Sequence, residues 1–94
     1  MDHPTEDALR LLRAARELHA ERHGIHTFTL GTHLPLEEAG RRTGINSERL
    51  RYHDAIKELE YEGAIEWPTS ARLARGNKKY VITKRGLEML REPA

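Results

Sequence analysis

Ninety-four residues, 37 % hydrophobic and 33 % charged, make one small domain with little apolar material beyond a modest core. The absence of cysteine excludes a disulfide framework and a cysteine-ligated zinc. A net charge of +1 conceals an asymmetry: residues 1–66 carry nine Lys/Arg against thirteen Asp/Glu, and residues 67–94 carry seven against two.

The late basic patch suits phosphate, since a local patch matters more than the chain average; a solvated basic tail is the plainer reading. The acidic start, MDHPTEDALRLL, has no apolar segment of signal-peptide length, and no window approaches a membrane span. The expectation is a soluble cytoplasmic protein.

Residues 1–4 read as a frayed end. Thr5 is placed to cap a helix, with Glu6 and Asp7 at the positive end of its dipole. That helix runs to about His23, with Ala8, Leu11, Leu12, Ala15 and Leu18 on one apolar face and Gly24 as its stop. The β-branched and aromatic residues of IHTFTL predict a short strand over 25–30, with Phe28 and Leu30 facing the core. Residues 31–33 then form a loop.

Leu34-Pro35 opens a second helix whose Leu36, Ala39 and Gly40 face inward. Residues 43–47, TGINS, make a turn: Gly44 ends the helix, Ile45 plugs the core, and Asn46 or Ser47 caps the next helix. That third helix runs from about Ser47 to Glu62 with Tyr52, Ala55, Ile56 and Leu59 on its core side. Leu50 and Tyr61 fall on the opposite side. Either the first turn bends Leu50 inward, or both meet a partner chain.

Residues 64–69 predict the first strand of a hairpin, which ends at Pro68 or lies at an edge because proline lacks an N–H. Residues 70–77 form a long tip closed by Gly76-Asn77, and residues 78–83 the return strand, with Tyr80 and Ile82 on one face and Lys79 and Val81 on the other. Thr83 caps a last helix over 84–91, whose Leu87 and Leu90 reach the core.

Helix, strand, helix, turn, helix, basic hairpin is the order of the winged helix-turn-helix superfamily. The run from Gly44-Ile45-Asn46-Ser47 to Leu59-Glu60-Tyr61-Glu62-Gly63-Ala64-Ile65-Glu66 resembles bacterial repressor domains such as the LexA N-terminal domain. The ending Tyr80-Val81-Ile82-Thr83-Lys84-Arg85-Gly86-Leu87 is similar to that of MarR-like and PadR-like regulators. The fold class expected is α+β: a winged helix-turn-helix with a three-helix core, a short strand, a β-hairpin wing and a short C-terminal helix. The helix-turn-helix spans about 35–62 and the wing about 64–83, in a single domain over 1–94.

The resemblance implies sequence-specific binding of double-stranded DNA by a small transcriptional regulator, with the third helix in the major groove. Ser47, Arg49, Arg51, His53 and Lys57 would face DNA, and Arg51 and His53 are the foremost base-reading candidates. Arg41 and Arg42 would contact backbone phosphate. On the wing, Arg72, Arg75, Asn77, Lys78 and Lys79 would meet phosphate or the minor groove. Each is equally readable as a solvated side chain. The acidic second half of the helix, Asp54, Glu58, Glu60 and Glu62, leaves only its first half suited to phosphate.

A homodimer is expected, through the first or the last helix. His19 and His23, four apart, are too few ligands for a metal site, and surface histidines are the ordinary reading. No cofactor is expected, and without a glycine-rich phosphate loop or a carboxylate pair no enzyme is indicated. The rival class is a winged-helix protein-interaction module. Structured-RNA binding is a third reading, but no aromatic stacking platform supports it.

Overall fold

The computed structural model describes residues 6–46, 48–67 and 80–91. Among them the chain forms four α-helices and a two-stranded antiparallel sheet, an α+β arrangement. Helix α1 (Glu6–His23) is the spine, packing against the three other helices. Its buried side is the expected one, with Ala14 added: Ala8, Leu11, Leu12, Ala14, Ala15 and Leu18. Acidic residues in the first turn and Arg22 and His23 in the last suit the helix dipole.

The strand expected over 25–30 is not formed. A 3-10 turn, Ile25–Thr27, occupies its start. The Thr27 hydroxyl lies 2.8 Å from the Gly24 carbonyl to which it donates. Such local bonding by a threonine competes with a strand ladder. Phe28 packs against the core, as expected, but Leu30 is 65 % exposed. Sheet pairing falls instead on residues 31–34, of which 31–33 read as loop and Leu34 as the opening of a helix that begins at Leu36. The Gly31 N–H donates to Ile82 O (3.0 Å), the Ile82 N–H to Thr32 O (3.0 Å) and the Leu34 N–H to Tyr80 O (2.9 Å).

Helix α2 (Leu36–Thr43) buries Leu36, Ala39 and Gly40 and ends at Gly44, which is left-handed at φ 82°. Gly40 has a steric reason: a Cβ there would overlap the Ile45 carbonyl oxygen and stand 3.2 Å from the Tyr52 ring. Helix α3 (Leu50–Tyr61) starts three positions later than expected. The Asn46 side chain, rather than capping a helix, closes an Asx turn by accepting the Glu48 N–H at 3.1 Å. The Asn46 carbonyl takes the Arg49 N–H at 2.9 Å. Ser47 lies outside the described residues.

Tyr52, Ala55, Ile56 and Leu59 are the buried side of α3. Its end is a Schellman motif: the Ala64 N–H donates to Leu59 O (2.9 Å) and the Gly63 N–H to Glu60 O (3.0 Å). The motif needs the positive φ that Gly63 supplies, 76°.

Strand β1 (Ile65–Glu66) pairs antiparallel with β2 (Val81–Ile82), Ile65 opposite Ile82 and Glu66 opposite Val81. Val81 and Ile82 are both buried; Ile82 joins the main core, and His33 bridges to Val81. Pro68, the tip over 70–77, Lys78 and Lys79 lie outside the described residues, as do Thr5 and residues 1–4. Helix α4 (Lys84–Arg91) is capped as expected, with Thr83 Oγ1 accepting the Gly86 N–H at 3.1 Å. Met89 and Leu90 close the core, and Leu87 packs on it half-buried.

Candidate nucleic-acid interface

The α2–α3 junction leaves a groove of about 380 Å³. Its described lining is Gly40, Arg41, Gly44, Ile45, Asn46, Arg49 and Arg51, three arginines and no carboxylate. The start of α3 opens beside it. Arg49 stands at the N-cap in extended conformation, and its own side chain makes no capping bond. The positive end of a helix dipole attracts anions, and the Arg41 and Arg49 guanidinium groups add to that field.

Three of the expected DNA-contacting residues therefore converge: Arg41, Arg49 and Arg51. Their circumstances differ. Arg41 and Arg49 are exposed, and neither forms an ion pair among the described residues. Arg51, a foremost candidate on sequence, is gripped by Asp7 of α1, with Nε at 3.0 Å and Nη2 at 2.8 Å from the two carboxylate oxygens. Hydrogen bonding to Arg51 holds the Asp7 carboxyl below its ordinary value, against partial desolvation.

Arg42 turns away from the groove altogether. Its guanidinium makes two bonds to Glu21 of α1, at 2.6 and 3.0 Å. The same kind of bond lowers the Glu21 carboxyl. Alongside, Arg22 of α1 binds Glu38 of α2. Arg10 donates to the Thr43 carbonyl at 3.2 Å, at the end of α2. Arg42, expected to contact phosphate, thus ties α1 to α2 through Glu21 while staying partly exposed. The reason lies in sequence-distant carboxylates that the fold brings near.

His53 and Lys57 are exposed on α3 but outside this groove. His53 borders a second cleft, of about 480 Å³, between α2, α3 and the base of the sheet. Arg41 lies on both. The second cleft is of mixed character, with Glu37 and Glu38 beside Tyr52, Trp67 and Tyr80. Trp67 and Tyr80 meet edge to face with ring centres 4.8 Å apart. Burial pushes the Tyr52 phenol up to about 12, with the Glu37 charge adding to the effect. Burial also raises Tyr80.

Asn46, absent from the candidates, lines the arginine groove. Its position directly after Gly44-Ile45 was the available sign. The remaining candidates, Ser47, Arg72, Arg75, Asn77, Lys78 and Lys79, lie outside the described residues. Among the described residues no cluster of three or more His, Asp or Glu is arranged to hold a metal ion. His19 instead bonds through Nε2 to Thr27 Oγ1 (2.7 Å), and its ring lies 4.8 Å from that of His23. No helix among them is long and apolar enough to cross a membrane.

These features define an α+β protein whose α2–turn–α3 unit is tied by charge pairs to a central helix and carries an arginine-lined groove. No family model, curated protein or solved structure matches the chain.

Proposed function

We propose that the chain is a winged helix-turn-helix protein that binds double-stranded DNA and acts as a small transcriptional regulator in the cytoplasm. The observation that carries the reading is the positive end of α3 beside Arg41, Arg49 and Arg51, in a groove with no carboxylate among its described lining residues. The first half of α3 approaches the major groove, and Arg41 and Arg49 take flanking phosphates. His53 and Lys57, further along the helix, reach base edges or the backbone. Asp54, Glu58 and Glu60 keep the second half of α3 away from phosphate. The basic stretch with Arg72, Arg75, Asn77, Lys78 and Lys79 serves as the wing.

The test is fluorescence anisotropy with mixed-sequence duplex at two salt concentrations, for wild type and an Arg72/Arg75→Ala double variant. Binding that weakens steeply with salt, because counterions are released, and weakens again in the variant supports the reading. No binding at low salt overturns it.

One observation favours a second reading, a protein-interaction module. Leu50 and Tyr61 are 79 % and 89 % exposed on α3. The bend that would have turned Leu50 inward does not occur.

A further inference from the structure

The exposed face of α3 has an internal order that DNA contact does not explain. Leu50, Asp54, Lys57 and Tyr61 follow one another at intervals of four, three and four. At about 100° per residue they fall within one narrow stripe, the spacing of a coiled-coil seam. All four are exposed, and neither Asp54 nor Lys57 forms an ion pair among the described residues.

The stripe is self-complementary when reversed. Its midpoint falls between Ala55 and Ile56, the midpoint of α3 itself. Laid antiparallel on its copy, the stripe sets Leu50 against Tyr61 at both ends and Asp54 against Lys57 twice in the middle. The two apolar contacts stand about 16 Å apart along the helix. On the flank, His53 comes near Glu60 of the copy. A two-fold interface requires this reciprocity, residue i meeting j while j meets i.

We infer that α3 is a self-association surface, and that its occupant is a second copy of this chain packed antiparallel across the Leu50–Tyr61 stripe. The helices expected to dimerise offer no such face. No large hydrophobic residue of α1 or α4 is among the exposed ones, since the apolar sides of both are buried in the domain. A single helix pair covers less than the about 1,200 Å² of a stable interface, so the dimer is weak, with Kd roughly 10⁻⁵–10⁻⁴ M. The stripe includes Lys57 and adjoins the start of α3. If DNA binds as proposed above, duplex and the second copy compete for one helix. This consequence rests on that reading; the self-association does not.

Sedimentation equilibrium of the full chain up to millimolar concentration tests the inference, on wild type, Asp54→Lys, Lys57→Asp and the double exchange. Each single variant sets like charges against each other twice and is expected to raise Kd about tenfold or more. An equimolar mixture of the two single variants restores opposite charges and associates as a heterodimer, and the double exchange dimerises like wild type. Recovery on mixing cannot come from a misfolded variant. A wild type that stays monomeric throughout overturns the inference, as does a dimer indifferent to both single exchanges. Added duplex should convert wild-type dimer to DNA-bound monomer. A failure of that arm alone counts against the DNA reading, while the charge exchange decides the dimer.

Discussion

Asp7 and Arg51, forty-four positions apart, form a two-point contact in which both carboxylate oxygens accept from one guanidinium, at 2.8 and 3.0 Å. The pair joins the first turn of α1 to the first turn of α3. It neutralises an arginine that lines the groove together with Arg41 and Arg49. Asp7→Asn should therefore release Arg51 and tighten duplex binding several-fold at low salt. Adding Arg51→Ala should abolish the gain. Anisotropy titration of the three proteins checks this; a gain that survives in Asp7→Asn/Arg51→Ala would assign it to the lost negative charge alone.

Acid should loosen the frame that binds α1 to the α2–turn–α3 unit. The Arg51 bond lowers Asp7 from an ordinary 3.8, and the Arg42 bond lowers Glu21 from 4.5. A depressed carboxyl stabilises the fold above its unfolded value and loses that contribution as pH falls through the folded value. Glu21 is exposed and Asp7 partly so, and solvent screening keeps the effect modest. Urea midpoints measured from neutral pH downward should begin to fall below about pH 4.5. They should fall less steeply in Asp7→Asn/Glu21→Gln.

Alkali acts through Tyr52. Its phenol, desolvated in the core and facing the Glu37 charge, is raised from 10.0 to about 12. A raised value means the stabilisation is complete below pH 10 and disappears as pH climbs through the folded value. Ultraviolet titration should show Tyr52 and Tyr80 ionising later than a free tyrosine, and Tyr52→Phe should remove the latest step and delay alkaline unfolding.

Gly40→Ala is a test of the α2–α3 junction. The added methyl would overlap the Ile45 carbonyl oxygen, a backbone atom that cannot rotate aside. A loss of about 1–3 kcal/mol is expected in chemical denaturation, the range for overpacked sites. Unchanged stability would mean that the helices part easily, and the groove between them would then lack a fixed shape.

The helices were legible because their instructions are local. Ala8, Leu11, Leu12, Ala15 and Leu18 recur at helical spacing, Gly44 and Gly63 mark the stops, and Thr83 caps α4 as its position suggests. The sheet was less so. Pairing of residues 31–34 with the 80–82 segment is a tertiary choice, and Thr27 diverts the β-prone IHTFTL run into a turn. The start of α3 falls later than Asn46 and Ser47 suggest because Asn46 closes an Asx turn rather than a helix cap. Within the site, the exposed arginines could be named, but not which were occupied. Arg42 and Arg51 are distinguished from Arg41 and Arg49 only by Glu21 and Asp7, whose approach no sequence spacing encodes.

The central claim is that DNA meets the start of α3, and one comparison tests it most directly. Arg49→Glu and Arg91→Glu change net charge equally, one at the N-cap of α3 and the other in the last turn of α4. Measured against one duplex at one salt concentration, Arg49→Glu should lose most of its affinity, while Arg91→Glu should fall only by the small amount that net charge dictates. Equal losses would contradict the account, leaving a protein that attracts DNA by its charge without presenting α3 to it.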